Sequence, residues 1–169
     1  VDARARGLSR SHVKARLGDF DHPPLLAYHS VDGSTSVSGD ASRPRIAVMN
    51  LHGTIAQRMN LMMEFSGGTS TQMFGQAFDQ AVADESVKAI VISIDSPGGA
   101  VPGVMELSDK IYSARGSKPI VTVIDSMMAS AATWIGTASD EVVATPSATH
   151  IGSIGVLNIH LDETARHEK

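Results

Sequence analysis

The chain contains no cysteine, which removes disulfides, thiolate nucleophiles and cysteine-ligated zinc from consideration. That absence leaves the compartment open, because a cysteine-free protein suits any redox environment. No apolar run reaches the roughly 18–20 residues that a spanning helix requires, so nothing here reads as a transmembrane segment. Positive charge is also scarce: 14 Lys and Arg stand against 18 Asp and Glu, a formal net charge of -4. A nucleic-acid partner would call for a basic stripe, so none is expected. Neither a phosphate loop ending in Gly-Lys-Ser/Thr nor a dinucleotide fingerprint occurs, and no cofactor or metal is expected.

What is present suits one domain, since 169 residues can bury a real core. The sequence begins at Val1 and stops at Lys169, inside what reads as a helix from Asp162. It is therefore expected to be a piece of a longer polypeptide. Residues 1–44 carry Arg4, Arg6, Arg10, Lys14 and Arg16, with a short helix around Ser11–Leu17. His22-Pro23-Pro24 and then Val31–Pro44, rich in Ser, Gly and Asp, read as linker. The 1–44 segment is thus read as a basic, flexible arm, either solvated or docked on an acidic partner, and 45–169 as the folded domain.

From Arg45 onward, strand and helix signals alternate. Ile46–Leu51, Val87–Ile94 and Ile120–Ile124 are β-branched, apolar runs suited to a buried parallel sheet. Phe74, Phe78, Ala81 and Val82 form a helical stripe capped by Thr69 or Ser70, and Val104, Leu107, Ile111 and Tyr112 form a second. Glu141–Ala144 is a short further strand. This order predicts right-handed βαβ crossovers in an α/β protein. Met59, Leu61, Met62, Met63 and Phe65 lie in a long connection. They form either an adaptable apolar binding surface or a short helix packed on the core or a sister subunit.

Two turns stand out. After Ile94 the chain runs Asp95-Ser96-Pro97-Gly98-Gly99-Ala100, at the end of a parallel strand where α/β sheets bind ligands. After Ile124 it reaches Ala129-Ser130-Ala131-Ala132, followed by a helical pattern through Trp134, Ile135 and Ala138. A serine at such a strand-to-helix turn, among residues too small to screen it, is open to close approach. The N–H groups beside it lie at the positive end of the helix, so Ser130 is the candidate nucleophile. Alanine and serine are also ordinary helix-start residues, so this position alone decides nothing.

The ordered set Ile94-Asp-Ser-Pro-Gly-Gly99, Ala129-Ser-Ala131 and Gly152-Ser-Ile-Gly-Val156 resembles the signal peptide peptidase A family of serine peptidases, most of all its phage capsid-assembly branch. The resemblance implies a Clp protease/crotonase-like spiral of βαβ units around a mostly parallel sheet. It implies Ser130 as nucleophile, the N–H groups of Gly99 and Ala131 as the oxyanion hole, and Pro97, Gly98 and Ala100 along the bound substrate. The family's general base is a lysine, which by position falls past Lys169. Lys88, Lys110 and Lys118 are expected to be solvated; His150 is a weak substitute base, and Ser153 would orient the lysine.

The implied activity is Ser-Lys endopeptidase cleavage of protein or peptide substrates, silent in this piece alone. The implied partners are capsid or scaffold proteins and further copies of the chain in a homo-oligomer. The location would be the bacterial cytoplasm or phage prohead, or the membrane for a cellular signal peptide peptidase. Two other readings stay open: a non-catalytic capsid- or portal-associated component, and a crotonase-like acyl-CoA enzyme.

Overall fold

The computed structural model describes residues 26–30, 35–36, 44–59, 67–157 and 162–163. The Ser11–Leu17 helix, the apolar residues Leu61–Phe65 and all but the first two residues of the helix expected from Asp162 lie outside them.

Three parallel strands form the centre: β3 (Arg45–Ala56), β5 (Val87–Gly99) and β6 (Ile120–Ala129). Their alternate apolar residues point to one face, where Met49, Leu51, Ile90, Ile92, Ile94, Ile120 and Ile124 are fully buried. Helix α1 (Thr71–Ala83) lays Phe74, Phe78 and Ala81 on that face, and α2 (Val104–Ser113) adds Val104, Leu107 and Ile111. The short helix α3 (Ala131–Gly136) contributes Ala132 and Ile135 to the same core. Ser70 caps α1 as expected, accepting the Met73 N–H at 3.3 Å.

On one side of the sheet, β1 (Leu26–Ser30) pairs antiparallel with β3, and β2 (Thr35–Ser36) pairs antiparallel with β1. The stretch expected to be arm and linker therefore supplies two strands. The run Leu26-Ala27-Tyr28 is too short to stand out by periodicity, and the exposed edge of β3 supplies the partner that makes it a strand. On the other side, β7 (Glu141–Ala144) adds parallel to β6.

The central strands run past their apolar stretches. β5 continues through Gly99 and β6 through Ala129, with register shifts between Ile94 and Ser96 and between His52 and Thr54. Ile94 faces Ile124, but Ser96 faces Met128, so β6 carries extra residues at the shift. Such bulges bend a strand and re-aim its side chains. Past them, the two-residue β4 (Thr69–Ser70) joins β3 and β8 (His150–Gly152) joins β6. The two special turns meet in this bent region.

At the opposite end of the sheet, Arg45 is buried and bonded to Asp84 at 2.8 Å and to the Ser86 hydroxyl at 2.7 Å. That network ties the start of β3 to the end of α1. The helix-to-sheet core predicts that Phe74→Ala costs about 3–5 kcal/mol of stability in chemical unfolding. Lys88→Ala, at an exposed position, is expected to change it by less than about 0.5 kcal/mol.

Candidate active site

β6 leads directly into Ser130, whose backbone takes φ 54° and ψ -122°. Among the described non-glycine residues, Ser130 and Ser153 have positive φ. A conformation this sparse costs about 1–3 kcal/mol and persists only where the surroundings enforce it. The Ser130 N–H donates to Gly152 O at 2.8 Å, and its carbonyl accepts the N–H groups of Thr133 at 3.0 Å and Trp134 at 3.2 Å. Its hydroxyl makes no capping bond to α3, so Oγ is not spent on the helix it begins.

Gly98 lies directly beneath. Its φ is 96°, and a Cβ there would sit 2.7 Å from both Ser130 Cβ and Ala129 O. Any side chain would push the elbow out of place. Ser96, fully buried, fixes this turn by donating to Gly53 O at 2.5 Å and accepting the Gly98 N–H at 3.1 Å. Gly99 is pressed against β3, where a Cβ would meet Ile55 O at 2.0 Å. Ala100 N–H donates to Ile55 O at 2.8 Å. Alternation along a strand then turns the Gly99 N–H to the opposite side, the side of Ser130.

Gly99, Ser130 and Ala131 line one cavity of about 370 Å³ with Val101, Val104, Trp134, Ile154 and Val156. The Ala131 N–H is the first of α3 and has no acceptor within the helix. Around the mouth, Trp134 is 49% exposed, Ile154 90% and Val156 72%. Apolar side chains clustered in water around a cleft mark a binding surface. α3 is shorter than the pattern through Ala138 suggested. With fewer than two turns, the positive field at Ser130 comes from individual N–H groups more than from a macrodipole.

The remaining expected site residues are placed as follows. Pro97 and Ala100 are exposed beside the cavity, and Ser153 follows β8 with φ 52°. His150 is exposed, paired across β8 with Met127, and its Nδ1 lies 2.8 Å from Thr149 Oγ1 rather than against Ser130. Lys88 donates to Glu85 O, and Lys110 pairs with Asp79. Lys118 departs from the solvated expectation: it is half-buried and donates to Ala81 O at 2.9 Å and Asp84 O at 2.5 Å. Burial lowers its pKa, as a lysine base requires. Yet it precedes β6 while Ser130 follows it, roughly 30 Å away along the strand. Its work is to cap the end of α1.

His52 was not singled out by sequence. It faces Asp95 across β3 and β5, and its Nε2 lies 3.4 Å from Ser93 Oγ. Burial lowers its pKa below 6.5, while the nearby Asp95 and Asp125 pull the other way. Among the described residues, no group of His, Asp and Glu is arranged to hold a metal ion.

A mostly parallel α/β sheet thus carries, at a strand-to-helix elbow, a serine in a strained backbone conformation that shares one cavity with Gly99 and Ala131. Residues 113–169 match Peptidase family S49. The chain is 35% identical over 165 residues to the head-tail preconnector protein GP5 of Enterobacteria phage P21, covering 94% of this chain and 32% of that protein. It is 31% identical over 144 residues to the capsid assembly protease C of Escherichia phage lambda, covering 79% and 33%. Protease 4 of Salmonella typhi is 34% identical over 115 residues, 68% of this chain and 18% of that protein. The chain belongs to the signal peptide peptidase A (S49) family, on its phage branch. It spans about a third of the length of the two phage relatives. Among solved structures it is similar to a mutant of a membrane-bound stomatin-specific protease, at 19% identity and TM-score 0.43 over 61% of this chain and 44% of that one. A probable enoyl-CoA hydratase/isomerase from Mycobacterium abscessus is similar at 18% identity and TM-score 0.47, over 66% and 47%. No helix of the described residues is long and apolar enough to cross a membrane.

The lowered pKa of His52 gives a pH dependence of known sign. The unfolded chain takes up a proton at this residue near pH 6.5, and the folded chain only at a lower pH. Stability contributed here is complete above about pH 6.5 and is lost as pH falls towards the folded pKa. Thermal midpoints measured between pH 7.5 and 5 should fall more steeply for the parent than for His52→Gln.

Proposed function

We propose that the protein is a serine endopeptidase of the Ser-Lys type that processes capsid or scaffold proteins during phage head assembly. The observation that carries this reading is the held, positive-φ conformation of Ser130 with Gly99 and Ala131 on the same cavity. Ser130 Oγ attacks the scissile carbonyl as its proton passes to the base, and the carbonyl oxygen becomes an oxyanion. The N–H groups of Gly99 and Ala131 receive that charge; a donor of this kind is worth about 3 kcal/mol of barrier. The amine leaves with a proton from the base, and water then hydrolyses the acyl-serine. Pro97, Gly98 and Ala100 flank the substrate as an added strand, and the apolar cavity takes a small or apolar side chain.

The base is a neutral lysine supplied by polypeptide beyond Lys169, with Ser153 orienting it and His150 outside the reaction. Copies of the chain assemble into a homo-oligomer, in the host cytoplasm or the prohead. The absence of any lysine at Ser130 among the described residues favours a second reading, a non-catalytic assembly component.

Mass spectrometry of full-length protein treated with a fluorophosphonate separates the two. The expected result is one adduct, on Ser130, absent in Ser130→Ala and reduced roughly a hundredfold in Gly98→Ala, whose methyl displaces the elbow. Labelling that survives in Ser130→Ala rejects the nucleophile; absence of labelling and of cleavage in the full-length protein favours the assembly component. The 169-residue chain alone is expected not to turn over peptide substrates.

A further inference from the structure

Thr133 sits on α3, buried to 7% exposure, one turn after Ser130. A threonine inside a helix usually returns its hydroxyl to the carbonyl four residues back. This one reaches outside the helix. Its Oγ1 lies 2.8 Å from Met128 O, two residues before Ser130, and 2.8 Å from Gly152 O on β8. A hydroxyl has one hydrogen, which is shared between or alternates over these two carbonyls. Gly152 O is also the acceptor of the Ser130 N–H at 2.8 Å, and the Thr133 N–H itself bonds Ser130 O at 3.0 Å. One residue therefore holds the strand before Ser130, the β8 carbonyl that fixes Ser130 N–H, and the carbonyl after it.

We infer that Thr133 is the positioning residue of the nucleophile: its hydroxyl clamps β6 to β8 and keeps Ser130 in its positive-φ conformation, with Oγ facing the cavity. Thr133 also lines the cavity, but its hydroxyl is spent on the two carbonyls, so its positioning role runs through Ser130. The inference rests on the reading of Ser130 as nucleophile. Valine has the shape of threonine without the hydroxyl, so Thr133→Val isolates the clamp, and Thr133→Ser keeps the hydroxyl without the methyl. A site defined by packing alone would respond in the reverse order.

The test is fluorophosphonate labelling kinetics on the full-length protein, in which the Oγ–P bond forms as fluoride leaves, together with amide hydrogen exchange at Ser130. Thr133→Val should lower the maximal labelling rate roughly ten- to a hundredfold, with the concentration for half-maximal rate unchanged, and should speed exchange of the Ser130 N–H. Thr133→Ser should behave as the parent in both. Where Thr133→Val does not fold, Thr133→Ala serves as the hydroxyl-free variant with the same expectations. The proposal is overturned if the hydroxyl-free variant labels and exchanges at the parent's rates, or if Thr133→Ser is as slow as Thr133→Val. Labelling retained in Ser130→Ala instead removes the nucleophile reading itself.

Discussion

The α-carbon of Gly98 lies so close under Ser130 that a methyl group there would stand 2.7 Å from the serine Cβ. Everything around the elbow is arranged about that approach. β5 must end in a residue without a side chain, β6 must turn sharply at Ser130, and the two strands must bulge to bring these points together. The register shift after Ile94 accomplishes this, because Ser96 comes to face Met128 instead of the residue an unbroken ladder would offer. Ser96 then locks the turn from below through Gly53 O and the Gly98 N–H. The close approach brings the end of one strand, at Gly99, and the start of a helix, at Ala131, onto one cavity with that serine.

Strain and support are separated in this molecule. The strained residues, Ser130 and Ser153, lie on either side of Gly152, whose carbonyl takes the Ser130 N–H. The support comes from buried hydroxyls that bond carbonyls across elements: Thr133, Ser96, and Thr69 to His52 O. At the far end of the sheet Arg45, Asp84, Ser86 and Lys118 fasten α1 to the strand starts. One end is thus built for anchorage. The other holds a sparse backbone conformation against its own preference, as functional sites commonly do.

The parallel core was legible because Ile46–Leu51, Val87–Ile94 and Ile120–Ile124 are β-branched runs with few other readings, and both helix stripes carry their period openly. The same signal stopped short at Ile94 and Ile124. Asp95–Gly99 and Asp125–Ala129 are strands through tertiary pairing with β3, β8 and each other, which composition does not show. β1 escaped for the same reason. Within the site, small residues around Ser130 and the Gly98-Gly99 pair pointed to the two turns. Their contact could be named only through a family resemblance, since a glycine pair in a sequence does not say what approaches it. The roles of Thr133, Ser96 and His52 gave no signal, because a hydroxyl or imidazole is defined by its partners, and those lie on other elements. Lys118 read as a surface lysine for want of knowing that the end of α1 would meet it.

Whether Ser130 attacks with Gly99 and Ala131 as charge acceptors is decided by the crystal structure of the full-length protein carrying a fluorophosphonate adduct. Phosphorus is expected on Ser130 Oγ, with a phosphoryl oxygen within about 2.7–3.1 Å of both the Gly99 and Ala131 nitrogens. An adduct on another residue, or a phosphoryl oxygen turned away from those two N–H groups, would contradict it.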